Sequence, residues 1–353
     1  MKNLFSKKQL QMIGIDIGSR YIKAIALTKK GNSVSIDALA CESIRGDAFQ
    51  ERDIQELELV SQALKKVSSR LKTKIKPAVL AVSGSTVLTK VIQMGSGQSD
   101  FELESQIEIE ADSLIPYPIN EVYLDFQELG PSTTMTDRSD VLLSVAHKKT
   151  VDSRSLLIEE SGFEAKIFDI ESYALGNAFL HFAELTQSNE PQLCLSIGAA
   201  QLQLAVVENN EIILSRELGF GADVLLAELA MTYNESKADL NEKLVQGALS
   251  EDWREFIYPQ FLSNLQSQIN RILQLYVSTY NRDMPNIINV CGGATGIEGL
   301  LEDLAMDMNM TLQLFDPFTR MVAGSNVDLS AFHGPQFAIA AGLASRSFEP
   351  CHI

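Results

Sequence analysis

Met12-Ile13-Gly14-Ile15-Asp16-Ile17-Gly18-Ser19-Arg20-Tyr21-Ile22-Lys23 reads as an apolar strand that brings one carboxylate, Asp16, to a turn at Gly18 and leaves as a second strand carrying Lys23. A glycine in that turn lets backbone N–H groups come close to an anion. Ser19 and Lys23 add donors for phosphate oxygens, and Asp16 suits Mg²⁺ held through water. The same letters also suit an ordinary hairpin turn. The phosphate reading therefore depends on finding the other half of a clamp.

That half is present as an internal repeat. Leu195-Ser196-Ile197-Gly198-Ala199 echoes Ile15-Asp16-Ile17-Gly18-Ser19, and each turn is followed by an alternating strand and a hairpin, tipped by Lys30-Gly31-Asn32 in one copy and Asn209-Asn210 in the other. Two copies of β-β-β-α half a chain apart predict two similar lobes, each a mixed sheet flanked by helices, with a cleft between facing turns. A third glycine signal, Cys291-Gly292-Gly293-Ala294-Thr295-Gly296, follows the strand 287–290 and precedes a helix expected over 297–308. It suits either a flat ring or phosphate against the backbone, or a tight connection.

Composition sets outer bounds. At 353 residues the chain exceeds what one core usually serves, and 45% apolar with 21% charged residues is that of an ordinary globular protein. Acids outnumber bases 46 to 29, a net charge of -17 that repels nucleic acid and anionic lipid. Any bound phosphate is then expected to be held by backbone amides or metal. Cys41, Cys194, Cys291 and Cys351 show no metal or disulfide spacing and point to the cytosol. The histidines 147, 181, 333 and 352 are scattered and read as structural. No segment reads as a signal peptide or membrane span. Lys2, Lys7 and Lys8 around Leu4 and Phe5 make a weak membrane contact or, more simply, a frayed terminus.

Between the repeats, Asp53 is expected to cap a helix with Ile54, Leu57, Val60, Leu64, Val67 and Leu71 on one face, and Asp100 a second helix that stops at Ile115-Pro116-Tyr117-Pro118. The domain reading is a first lobe from 1–77 and 148–190, an inserted β-β-α-β-β subdomain at 78–147, and a second lobe at 191–353 with a helical insert at about 222–285. Its strands include 78–82 and 87–94 around a Ser83-Gly84-Ser85 turn, and a polar linker is read at 186–192. Small-residue helices at 170–184 and 336–345 permit close packing across the lobes.

In this order, Asp-Ile-Gly-Ser at 16–19, its echo at 196–199, Gly-Gly-Ala-Thr at 292–295 and the two small-residue helices resemble the actin-like ATPase (ribonuclease H-like) α/β fold. Within the inserted block, Glu102-Leu103-Glu104-Ser105-Gln106-Ile107-Glu108-Ile109-Glu110-Ala111, Leu114-Ile115-Pro116-Tyr117-Pro118-Ile119-Asn120-Glu121-Val122 and Asp125-Phe126-Gln127 are similar to the PilM family of type IV pilus assembly proteins. The resemblance implies a cytoplasmic adaptor at the inner face of the inner membrane. It implies ATP with Mg²⁺ between the lobes, and recognition by the inserted subdomain of the N-terminal cytoplasmic peptide of PilN. Through PilN the adaptor would reach the PilN/PilO complex and be peripheral to the membrane. Homo-oligomerisation is a further expectation, opposed at low salt by the net charge.

By position, the resemblance implies that Asp16 coordinates Mg²⁺ through water and that Gly18 and Ser19 hold the β- and γ-phosphates. Lys23 lies beside the phosphates or is solvated at the cleft mouth. Ser196, Gly198 and Ala199 form the facing turn, Gly292, Gly293 and Thr295 hold the adenosine, and Gly219 and Gly221 shape the ribose side. Glu171 orients the attacking water or caps its helix. Two departures bear on this. Ser196 stands where the family's fold often has a second aspartate, and Lys237-Ala238-Asp239-Leu240-Asn241-Glu242-Lys243 matches the nucleotide-contacting Ala-Glu-x-x-Lys pattern loosely. Hydrolysis is therefore expected to be weak or absent. The alternatives are a small-molecule kinase on the same fold, which would need a catalytic aspartate in the first lobe's insert, and an FtsA-like cell-division adaptor, which would end in an amphipathic helix.

Overall fold

The computed structural model describes residues 10–50, 52–84, 87–132, 134–185, 190–250 and 252–348. The basic-apolar start (Lys2 to Lys8), Ser85 of the expected turn, most of the polar linker, Cys351 and His352 lie outside the described residues. The chain divides into two compact units, residues 82–156 and the remainder on either side of them.

The larger unit opens with β1 (Ile13–Ile17), β2 (Tyr21–Lys30) and β3 (Ser33–Ser43), an antiparallel meander fixed by alternation of apolar and polar residues. A short hairpin, β4 (Phe49–Gln50) and β5 (Asp53–Ile54), precedes α1 (Leu57–Leu71). This corrects the expectation that Asp53 caps the helix. Phe49 pairs with Ile54 and Gln50 with Asp53, and the amides of Gln55 and Glu56 both return to the Ala48 carbonyl. The hairpin takes up these backbone groups first, so α1 starts four residues past Asp53. Its buried face is Val60, Ala63, Leu64, Val67 and Leu71, whereas Leu57 is exposed. Each buried Val or Leu contributes about 1.5–3 kcal/mol. β6 (Pro77–Val82) then lies parallel to β1.

The smaller unit holds β7 (Val87–Gly95), α2 (Asp100–Leu114), β8 (Val122–Pro131), β9 (Arg138–His147) and the start of α3 (Lys148–Glu160). Its three strands run in the order β7-β9-β8, all antiparallel. Leu103, Ile107 and Ala111 of α2 join Ile92, Val141, Leu143 and Val145 of the sheet in one core. Ser99, not Asp100, caps α2. Its side chain accepts from the Glu102 amide, and the Glu102 carboxylate accepts from the Ser99 amide, a reciprocal box that also holds the Glu102 carboxyl below its ordinary pKa.

The larger unit resumes with β10 (Glu164–Ile170) and α4 (Glu171–Phe182), which complete the first half. The repeat follows as β11 (Gln192–Ile197), β12 (Leu202–Glu208) and β13 (Glu211–Leu218), then the helices α5 (Asp223–Tyr233), α6 (Lys237–Val245), α7 (Asp252–Phe256) and α8 (Tyr258–Tyr280). β14 (Ile287–Cys291), α9 (Leu300–Met308) and β15 (Thr311–Leu314) finish the second sheet, ordered β13-β12-β11-β14-β15. β16 (Met321–Ala323) crosses back to pair parallel with β3, giving the first sheet the order β10-β6-β1-β2-β3-β16.

α10 (Ala338–Ser345) is the last α-helix among the described residues. Its alanines share a core with Ile25 and Leu27 of the first sheet and Cys194, Ala205 and Cys291 of the second. This packing needs missing side chains. A Cβ on Gly342 would stand 1.8 Å from the Ala174 carbonyl of α4, and one on Gly14 would stand 2.1 Å from the Ala340 carbonyl. The small-residue helices therefore pack as closely as the sequence suggested.

Candidate functional site

β1 and β2 pair so that Asp16 lies opposite Lys23, and β11 and β12 pair so that Ser196 lies opposite Gln203. Each pair is closed by a turn of the same kind, with the Gly18 amide donating to the Tyr21 carbonyl at 3.1 Å and the Gly198 amide to the Gln201 carbonyl at 2.9 Å. Both turns line one cavity of about 530 Å³ within the larger unit. The volume falls within the range of small-molecule sites.

Asp16 is 3% exposed and forms an ion pair with the Lys23 ammonium at 2.7 Å. The direction of β2 thus aims Lys23 into the cavity, not out of its mouth. Ser19, Ser196, Ala199, Gly292 and Gly293 line the same cavity, as does Glu171. Both Glu171 oxygens are engaged, Oε1 by the Arg52 guanidinium and Oε2 by the Gln203 amide at 2.8 Å. Gly292 has φ +97, and a Cβ there would fall 2.5 Å from the Ile197 carbonyl, so the glycine lets the β14 turn press against the end of β11.

Three of the residues read from sequence stand off the cavity wall. Gly219 is exposed, and Gly221 lies behind the second turn, where a Cβ would stand 2.3 Å from the Ala199 carbonyl. Thr295 sits behind Gly292. Its hydroxyl donates to the Gly292 carbonyl at 2.7 Å, and that single proton cannot also serve His333, so His333 Nε2–H donates to Thr295 Oγ1, likewise at 2.7 Å. Burial pulls the His333 pKa down, with Asp316 opposing, and holds the ring neutral at pH 7. The helix expected to begin at Ile297 begins at Leu300, because residues 293–296 form a 3₁₀ turn. The glycine pair is thus separated from a helix N-terminus.

The cavity also contains residues that the sequence reading did not single out. Arg20, Tyr21, Arg52, Arg70, Gln203, Asn241, Leu244, Phe332 and His333 all line it. Gln203 was findable, since the repeat puts it where Lys23 stands. Arg52 was not, because only the β4–β5 hairpin brings it here. Arg20 Nε donates to Asp223 at 2.6 Å, its Nη1 pairs with Asp47 at 3.2 Å, and Asn241 donates to the Tyr21 hydroxyl at 2.7 Å. The contacts to Asp223 and from Asn241 join the two halves across the cavity, whereas Asp47 belongs to the first half. Lys243 of the loosely matched motif instead pairs with Glu235, outside the cavity lining.

The lining mixes both charges, and its basic side chains are held in ion pairs: Lys23 with Asp16, Arg52 with Glu171, Arg20 with Asp223 and Asp47, and Arg70 with Glu42. It has four basic side chains, Arg20, Lys23, Arg52 and Arg70, and two acidic ones, Asp16 and Glu171. Among the described residues no group of three or more His, Cys, Asp and Glu is placed to hold a metal ion. A single carboxylate does suit Mg²⁺ that arrives on phosphates and keeps its waters. Cys41, opposite Lys23 on β3, is pushed up to about 11 by burial and remains a thiol at neutral pH.

The family model for the type IV pilus assembly protein PilM matches residues 14–348. Among solved structures, the chain is similar to one in a PilM-PilN type IV pilus biogenesis complex, with 22% identity over 97% of this chain and 100% of that one at a TM-score of 0.78. It is also similar to the ethanolamine utilization protein EutJ from Carboxydothermus hydrogenoformans, with 14% identity over 95% of this chain and 89% of that one at a TM-score of 0.54.

Proposed function

Because the chain belongs to the family of the type IV pilus assembly protein PilM, an actin-like fold, we propose that it is an adaptor that holds Mg²⁺·ATP between its two halves and reads a membrane protein's tail. The family match displaces the small-molecule kinase and the FtsA-like adaptor. The observation that carries the nucleotide reading is the cavity between two matched glycine turns, each closed by the same amide-to-carbonyl hydrogen bond. In this reading Gly18, Ser19 and Lys23 hold the terminal phosphates, Ser196, Gly198 and Ala199 close on them from the other side, and Gly292 and Gly293 border the adenosine. Asp16 orients the metal through water. Thr295 and Gly221 act from behind, by fixing the turns that touch the ligand. Mg²⁺ would supply charge neutralisation of the phosphates.

The partner in this reading is the N-terminal cytoplasmic peptide of a PilN-type protein, met by the inserted subdomain at 78–147. A three-stranded sheet with outer strands β7 and β8, and exposed Val91, Phe101, Ile109 and Leu129, supports docking of an extended apolar peptide. No described helix is long and apolar enough to cross a membrane. Attachment to the inner face of the inner membrane, and contact with PilO, would therefore run through the partner.

The test has two arms on the full chain. Protein incubated with Mg²⁺·ATP and freed of unbound nucleotide should retain it, and recovery of none overturns the nucleotide reading. A synthetic partner N-terminal peptide should slow hydrogen exchange within residues 82–156. Protection confined to other segments overturns the assignment of the reader.

A further inference from the structure

We propose that Arg52 withholds Glu171 from an attacking water and so keeps the bound nucleotide intact. The inference rests on the nucleotide reading of the cavity. Of the two acidic side chains in the lining, Asp16 is the one that the nucleotide reading gives to the metal, which leaves Glu171 as the group able to take a proton from water. Glu171 is 3% exposed, and its two oxygens accept from two different donors, Arg52 and Gln203. A carboxylate so engaged is a poorer base, and its lone pairs are aimed at those donors. Arginine does not lose its proton in the accessible pH range, so titration cannot open the pair.

The backbone holds Arg52 in place. It lies in the tip of the β4–β5 hairpin, whose two flanking pairs and double return to the Ala48 carbonyl fix the backbone position from which the side chain reaches Glu171. The suppressed step balances simply. A water oxygen bonds to the γ-phosphorus, the bond from that phosphorus to the bridging oxygen breaks, and ADP leaves with the electron pair. The water proton passes to Glu171 and on to solvent. Freed from Arg52, Glu171 regains a lone pair for that proton. Arg52 is a positioning residue that acts through Glu171.

The experiment is single-turnover conversion of bound ATP in the full chain and three variants, with ATP affinity and thermal unfolding measured in parallel. Arg52→Gln should form ADP at least tenfold faster than the parent chain at similar ATP affinity, and Arg52→Lys, which keeps a shorter positive partner and protects the fold, should give a smaller gain. Arg52→Gln/Glu171→Gln, with no carboxylate, should return to the parent rate, which a merely loosened structure would not do. Intact ATP in both single variants overturns the proposal. Lost ATP affinity in them also does, because Arg52 would then be a phosphate ligand. A parent chain that makes ADP as fast as Arg52→Gln overturns it as well. Failure of the parent chain to hold any nucleotide is seen before a variant is made, and rejects the nucleotide reading together with this one.

Discussion

Behind the Gly18 turn stand Asp16 and Lys23, an ion pair at 2.7 Å, whereas behind the Gly198 turn the equivalent positions are Ser196 and Gln203, both neutral. The backbones agree, and the glycine amide in each closes on the carbonyl three residues ahead. The repeat thus preserves the amide geometry that an anion meets and lets the side chains diverge. One half carries the charge. The other turns its amide side chain toward Glu171, on the helix that ends the first half. A similar divergence occurs two residues earlier in the strand, where Gly14 lets α10 approach β1 while its counterpart Cys194 fills space in the shared core.

The largest expected effect comes from breaking the charged pair. Asp16→Ala should lower unfolding free energy by about 3–5 kcal/mol, because it strands a buried ammonium. Ser196→Ala, which removes a small neutral hydroxyl and strands no charge, should cost about 1 kcal/mol or less. Urea unfolding of both variants checks the asymmetry, and equal losses would mean that the pair is solvated. Asp16→Asn/Lys23→Met should recover most of the stability.

Forcing the halves to match elsewhere comes next. Gly14→Cys, which copies Cys194 into β1, should destabilise by about 1–3 kcal/mol by overpacking against α10. Thermal melts of Gly14→Cys and Cys194→Gly would show whether the two strands are interchangeable.

The join between the halves should matter less to stability and more to exchange. A double-mutant cycle on Arg20 and Asp223 should give a coupling of about 1 kcal/mol or less, since Asp223 is partly exposed. In the nucleotide reading, Arg20→Ala should release a fluorescent ATP analogue several-fold faster, as seen by stopped flow.

The smallest effect is the dependence on pH. His333 has its pKa lowered from 6.5 in the folded chain, so the unfolded chain binds the proton more readily, and stability should fall as pH drops below 6.5. His333→Gln should flatten that slope between pH 7 and pH 5. An unchanged slope would assign the loss to other groups.

Much of the architecture was legible because it is local. Alternation over Tyr21–Leu27 and the apolar run at Leu202–Val207 mark strands whatever surrounds them, and Gly18 and Gly198 mark turns for steric reasons. Caps were less legible. Asp53 and Asp100 have the right chemistry for a helix start, but a neighbouring hairpin took the backbone in one case and Ser99 gained the reciprocal bonds in the other. In the site, the family resemblance put Gly219 on the ribose side, and the structure has it exposed and outside the cavity lining, since only packing decides which side of a turn meets the cavity.

The sequence by itself determined that two copies of a strand-turn-strand unit exist, that one carries Asp16 and Lys23, and that a block with its own helix and strands, read as 78–147, interrupts the first half; the structure gives the first of those strands, β6, to the sheet of β1. Steric and hydrophobic periodicity act over a few residues, so they can be read from a few residues. Only the tertiary structure decided that Arg52 meets Glu171, that Arg20 meets Asp223, and that four basic side chains converge in an acidic protein. Those meetings join elements tens to hundreds of residues apart, and the strength of each pair depends on how far the surrounding fold removes it from water.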